Sequence, residues 1–266
     1  MSVKKLLFII ALLSLSVLGC GKKSEESSSS QEKSQKETAS QAEKVLSIDP
    51  AQTGIIKGKT LFKGAAPSPK ELPVGGNPEC KVFHTGKLYD EEILVKDGRL
   101  QNVFIYVKEG LENYRFDPPK ESVKIDQIKC VYVPHVTGVQ VDQPILIVNS
   151  DPTLHNVHSY SKENATWNLG MPFEGMELTK KFSKPEIMVT MKCDVHPWMI
   201  GYIGVVSHPY FAITKEDGSF ELKNLPAGNY VIEAWHEKLG VQSQKIQVAA
   251  HEEKELEFSF ELSPKS

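Results

Sequence analysis

Cys193, His196 and Met199 stand three residues apart in the stretch VTMKCDVHPWMIGYIGVV, between two apolar runs with the look of β-strands. A thiolate, an imidazole and a thioether so close together suit a soft or borderline metal ion; they also suit an ordinary buried turn. A further ligand decides between these. Zinc in a structural site takes more thiolates or a second Cys-His pair. A c-type haem needs C-x-x-C-H, and Val195 stands where its second cysteine would be. A dinuclear copper centre needs another cysteine in the loop. Mononuclear copper in an electron-transfer site takes two imidazoles, one thiolate and a weak axial thioether, so one imidazole is missing. The segment QPILIVNSDPTLHNVHSY offers it: a buried strand, a turn through Asn149, Ser150, Asp151 and Pro152, then His155.

VNSDPTLHNVH followed by CDVHPWM resembles the cupredoxin family, and within it the amicyanin-like members with a short ligand loop. The resemblance spans roughly residues 121 to 206. It implies a Greek-key β-sandwich with His155, Cys193 and His196 as equatorial copper ligands and Met199 as the axial one. It also implies an outer-shell role for Asn149, tying the two ligand loops together. Two departures stand out: Met191 replaces the usual aromatic residue two before the cysteine, and SKPEI replaces the usual glycine-containing turn. By the same resemblance, the edge of His196 emerges through apolar residues (Pro152, Leu154, Met171, Pro172, Phe173, Pro197 and Trp198) as an electron port. His158, offset by three from His155 on a strand, faces the other way, and His135 and His208 read as structural polar residues.

The elements that must position these groups are short and β-branched. GIIKGKTLF, NVFIYV, PILIVN, IMVTMKC, NYVIEAW, QKIQVA and LEFSFEL alternate with glycine and proline turn signals, and no segment holds a helical period for three turns. The expected fold class is all-β: a cupredoxin sandwich at 121–206 plus a second small β-sandwich. Residues 207–266 contain TKEDGSFELKNLPAGNY, which resembles the carboxypeptidase regulatory-like (transthyretin-like) sandwich. Asp217-Gly218 and Pro226-Ala227-Gly228 mark its turns. The 51–120 segment supplies further strands that either stand apart or join this second sandwich, making the copper domain an insertion.

The N-terminus reads as an export signal over 1–19: Lys4 and Lys5, then an apolar run to Leu18, then Gly19-Cys20. VLGC resembles a bacterial lipobox, which implies a lipidated Cys20 and a membrane anchor. Gly21 in place of Asp points to the outer membrane. Residues 20–50, rich in Ser, Glu, Lys and Gln, read as a disordered tether. An exported chain favours disulfides. Cys80 with Cys130 is the expected pair, because the spacing around Cys193 already explains a free thiolate; pairings through Cys193 are the rivals. With 31 basic and 34 acidic residues and no basic stripe, nucleic acid is not an expected partner. The resulting expectation is a lipid-anchored, non-enzymatic blue-copper electron carrier that meets redox proteins such as a cytochrome or a dehydrogenase. The competing readings are a copper carrier or storage protein, and a metal-free structural lipoprotein.

Overall fold

The computed structural model describes residues 46–262. The expected signal peptide, Cys20 and most of the expected tether lie outside the described residues. In chain order the strands are β1 (Thr53–Lys63), β2 (Val95–Lys96), β3 (Arg99–Leu100), β4 (Phe104–Glu109), β5 (Val123–Ile128), β6 (Val131–Val133), β7 (Val136–Gln140), β8 (Ile145–Asn149) and β9 (His155–Tyr160). They continue with β10 (Asn168–Met171), β11 (Met176–Lys180), β12 (Glu186–Lys192), β13 (Ile200–Val206), β14 (Phe211–Ile213), β15 (Ser219–Pro226), β16 (Gly228–His236), β17 (Gly240–Val248) and β18 (Glu253–Glu261). One four-residue helix, α1 (Pro78–Lys81), falls in a stretch with no helical periodicity. Asn77 caps it, accepting the N–H groups of Glu79 and Cys80.

Two sandwiches result. The outer one draws on both ends of the described chain. β1 pairs in parallel with β18 and antiparallel with β15, and β2 and β3 complete that sheet. The facing sheet runs β14-β4-β16-β17. Alternation in β1 and β18 sends Ile56, Phe62, Leu256, Phe258 and Phe260 into one core, together with Ile105 and Val107 of β4. The strands at 53–109 and 211–261 therefore form a single sandwich, and the rest is inserted between β4 and β14, which are hydrogen-bonded neighbours.

The inserted sandwich has a five-stranded sheet, β10-β9-β12-β13-β7, facing a four-stranded one, β11-β8-β5-β6. Its core includes Ile125, Ile147, Val157, Val189 and Ile203. All five residues of β7 are buried, because its second face meets the outer sandwich through Phe104, Tyr106, Val136 and Val206. Two glycines make that approach possible. Gly138 and Gly204 are cross-strand partners, and a Cβ on them would come within 2.5 Å of the Phe211 ring and 2.4 Å of the Phe104 ring respectively. Any larger residue would push the two sandwiches apart.

Residues of the 51–120 segment also reach the inserted sandwich. Leu72, Val74, Cys80, Phe83 and Leu88 pack on its core, and Cys80 is disulfide-bonded to Cys130 at a sequence separation of 50. This strap lies at the end of the sandwich where His155, Cys193 and His196 meet.

Candidate metal centre

The β12–β13 loop carries Cys193, His196 and Met199. It is closed by two backbone bonds, from Cys193 N–H to Met199 O (3.2 Å) and from Met199 N–H to His196 O (2.9 Å). His155 opens β9. The fold brings Nδ1 of His155 to 2.9 Å from Nδ1 of His196, and Nδ1 of His196 to 3.7 Å from Sγ of Cys193. One atom from each of the three residues lies within 4.8 Å of the others. None of the three, nor Met199, exposes more than 3% of its surface, and Cys193 is a free thiol.

Buried polar groups ordinarily point at partners of opposite hydrogen-bonding character. Here two ring nitrogens face each other beside a sulfur. One proton between those nitrogens makes a hydrogen bond; an ion that displaces it meets two nitrogen lone pairs and a sulfur in one buried space. A cation with bonds of about 2.0–2.3 Å to nitrogen and sulfur fits between such groups. The donor set of two imidazoles and a thiolate, with buried Met199 closing the same loop, suits copper.

Asp151 fixes the orientation of His155. Its Oδ2 lies 2.9 Å from His155 Nε2, so Nε2 carries the proton and Nδ1 presents its lone pair. Asp151 itself accepts the N–H groups of Lys129 and Cys130, each at 2.7 Å. Those two residues form the tight β5–β6 turn, and both hold positive φ, 54° and 56°. Such a turn normally takes Asn-Gly, and non-glycine residues there cost about 1 kcal/mol or more. The carboxylate and the disulfide hold it in place. Burial raises the Asp151 carboxyl, but the His155 ring and the two N–H groups outweigh it, and the net shift is downward. The same balance applies to Cys193. Burial pushes its thiol up, while contacts with His155 and the backbone N–H groups of Asn156, His196 and Val195 bring it down overall. His155 is held above the ordinary histidine range: burial lowers it, and Asp151 and Cys193 more than compensate.

Asn149 sits elsewhere in the bonding scheme than the resemblance implied. Its amide donates to Thr153 O (2.9 Å) and Met171 O (2.8 Å), and its oxygen accepts the N–H of Asp151. It therefore organises the turn before His155 and anchors β10. The link between the two ligand loops is Asn156, whose oxygen accepts the N–H of Asp194 at 2.6 Å and whose amide reaches the Asp194 carboxylate. The adjacent His155-Asn156 pair carried that signal in the sequence.

His196 does not emerge. It is fully buried, and its Nε2 has no hydrogen-bond partner. The strap is the reason. Cys80, Cys130 and His196 offer ligand atoms within 4.8 Å of one another, and Trp198 turns its indole N–H to Cys130 O at 3.0 Å. The strap is pinned further by Glu79 on Thr153 and by His84 on Lys129 O. Met171 is likewise buried, while Leu154 and Phe173 are 45% and 71% exposed. Met191, in place of the aromatic residue, fills the core without a gap to solvent. His158 lies apart at Asp194 and Asn168; His135 pairs with Glu237, and His208 bonds Val107 O.

No family model and no curated protein matches this chain. Solved structures do. An amicyanin mutant in its Cu(I) state is 21% identical over 32% of this chain and 81% of its own length, with a TM-score of 0.29. An oxidised amicyanin mutant is 19% identical, over 34% and 88%, at 0.30. A purple cupredoxin from Nitrosopumilus maritimus is 19% identical, over 31% and 98%, at 0.28. The likeness to these cupredoxins covers about a third of the chain.

Proposed function

We propose that the inserted sandwich is a mononuclear copper site serving single-electron transfer, and that the chain is exported and held at a membrane through Cys20. The observation that carries the reading is the convergence of His155 Nδ1, His196 Nδ1 and Cys193 Sγ in a buried pocket. Copper bound there would supply a one-electron couple. The protein's part is to hold the donors so that little moves when the charge changes. Asp151 locks the His155 ring, Asn156 ties the two ligand loops, and the closed β12–β13 loop sets Cys193 against His196. The surrounding apolar core excludes water. Leu154 and Phe173 offer exposed apolar surface for transient docking of a redox protein. Among the described residues no helix is long and apolar enough to cross a membrane.

The covered His196 favours a second reading, in which the site holds or delivers copper without exchanging electrons through that ring. Visible and EPR spectra of the copper-loaded protein separate the two. A strong thiolate-to-Cu(II) band that is lost in Cys193→Ser supports electron transfer. Binding of Cu(I) alone, or of Cu(II) without that band, supports copper handling.

A further inference from the structure

We propose that Cys80, Cys130 and His196 form a second site, for a soft monovalent cation such as Cu(I), which exists only when the Cys80–Cys130 disulfide is reduced. The choice of copper rests on the function proposed above; the site itself does not.

Three observations point to it. The two sulfurs and a nitrogen of His196 lie within 4.8 Å of one another, all buried. His196 engages His155 and Cys193 through Nδ1, which leaves Nε2 as a buried nitrogen with no partner. The strap and the Cys130 turn are also held independently of the bond between them: Glu79 bonds Thr153, His84 bonds Lys129 O, and Asp151 takes the Cys130 N–H. Breaking the disulfide therefore leaves both sulfurs near the ring.

While the disulfide stands, neither sulfur is a thiolate and the triad has only an imidazole to offer. A dithiol reductant supplies two electrons and two protons. The S–S bond breaks, two thiols form, and the reductant leaves as its own disulfide. A Cu(I) ion then displaces the thiol protons and binds two sulfurs, with the imidazole completing the set. The arrangement answers a need of the first site. His155, Cys193, His196 and Met199 are all buried, so an ion must enter past some cover, and the strap over His196 is fastened by this disulfide. Reduction removes that fastening, while the remaining bonds keep the strap close, and creates a receiving site beside the same ring.

The test uses the full chain carrying Cys193→Ser, which removes the first site's thiolate. Cu(I) is titrated anaerobically against a chromogenic Cu(I) chelator, with the disulfide intact or reduced by a phosphine. Reduction should add one tightly bound equivalent, absent in the further variant Cys80→Ser/Cys130→Ser. His196→Ala in the reduced protein should weaken that equivalent by about tenfold or more. X-ray absorption on the loaded, reduced protein, with the ring present, should show two sulfurs and one imidazole nitrogen, independent of how any variant folds. No added equivalent on reduction overturns the inference. So does an affinity indifferent to His196, or a copper spectrum without the nitrogen. The electron-transfer reading fails separately, if the oxidised wild type gives no thiolate band.

Discussion

The two sandwiches treat their buried polar groups in opposite ways. In the outer one, His208 bonds Val107 O at 2.8 Å, and His236 Nδ1 accepts the Lys238 N–H at 3.2 Å. Glu233 gathers Tyr106, Lys108 and Ser243. Each group meets a complementary partner, as stability requires. In the inserted sandwich, Asp151, Asn149 and Asn156 are just as well partnered, yet they are used to hold the rings of His155 and His196 and the sulfur of Cys193 against each other. The outer sandwich leaves Asn102 Nδ2 without a partner, but among the described residues it gathers no cluster of metal-binding donors. The other brings two ring nitrogens and a sulfur together as a donor set that an added cation could occupy, and a network of hydrogen bonds keeps them in place.

The sharpest way to break this comparison is to ask whether the sandwiches are separable at all. Phe104 is fully buried between them, against Gly204 and Gly138. Phe104→Ala should cost about 3–5 kcal/mol, read by chemical denaturation, and both sandwiches should lose stability together. A loss below about 1 kcal/mol would show the contact to be incidental.

Asp151→Asn comes next, because it acts on one sandwich alone. An amide keeps the shape but cannot fix the His155 tautomer as a carboxylate does. Copper affinity should fall about 10–100-fold, measured by chelator competition. The stability of the outer sandwich should not follow. Unchanged affinity would mean that Asp151 serves only the strained Lys129-Cys130 turn.

Much of this contrast is legible in the sequence. Alternation in GIIKGKTLF and LEFSFEL gives the faces of β1 and β18 directly, and the two motifs mark His155, Cys193 and His196, which the fold brings together. Asp151 was hidden because NSDP reads as a turn, and a turn aspartate usually serves its own backbone. The strap was hidden for a different reason. Leu72, Val74, Phe83 and Leu88 follow no period of two or 3.6, so nothing local marks them as covering a site; only the partner of Cys80 places them there. Gly138 and Gly204 sit in strands where glycine is unfavourable, and their meaning depends on aromatic rings far away in sequence.

Acid should separate the sandwiches again, with a smaller effect. Burial lowers His208 and His236, both in or beside the outer sandwich, to about 4. The unfolded chain protonates them near 6.5, so stability is full above that pH and falls as the pH drops toward 4. The loss should be on the order of 1–2 kcal/mol per histidine at pH 5. His135 works in the opposite sense. Burial lowers it, but Glu237 raises it above its ordinary value, so its contribution is present below about 6.5 and fades as the pH rises through its folded value. Thermal melts from pH 7 to 4 should fall, and His208→Gln should flatten part of the slope. A flat wild-type profile would contradict the neutral, buried state of both rings.

The smallest change concerns Met199, which tests how finely the inserted sandwich tunes what it holds. Met199 is buried at the end of the closed ligand loop, its N–H on His196 O and its carbonyl accepting from Cys193. Those backbone bonds survive any side-chain replacement, so Met199→Gln should leave the loop, the fold and copper binding in place. What changes is the fourth donor. A thioether is soft and suits Cu(I); an amide oxygen is harder and favours Cu(II). The reduction potential should therefore fall while the thiolate band persists with an altered shape, as voltammetry and visible spectroscopy on the same sample would record. If the potential does not move, Met199 packs the core beneath the site, and the donor set is His155, His196 and Cys193 alone.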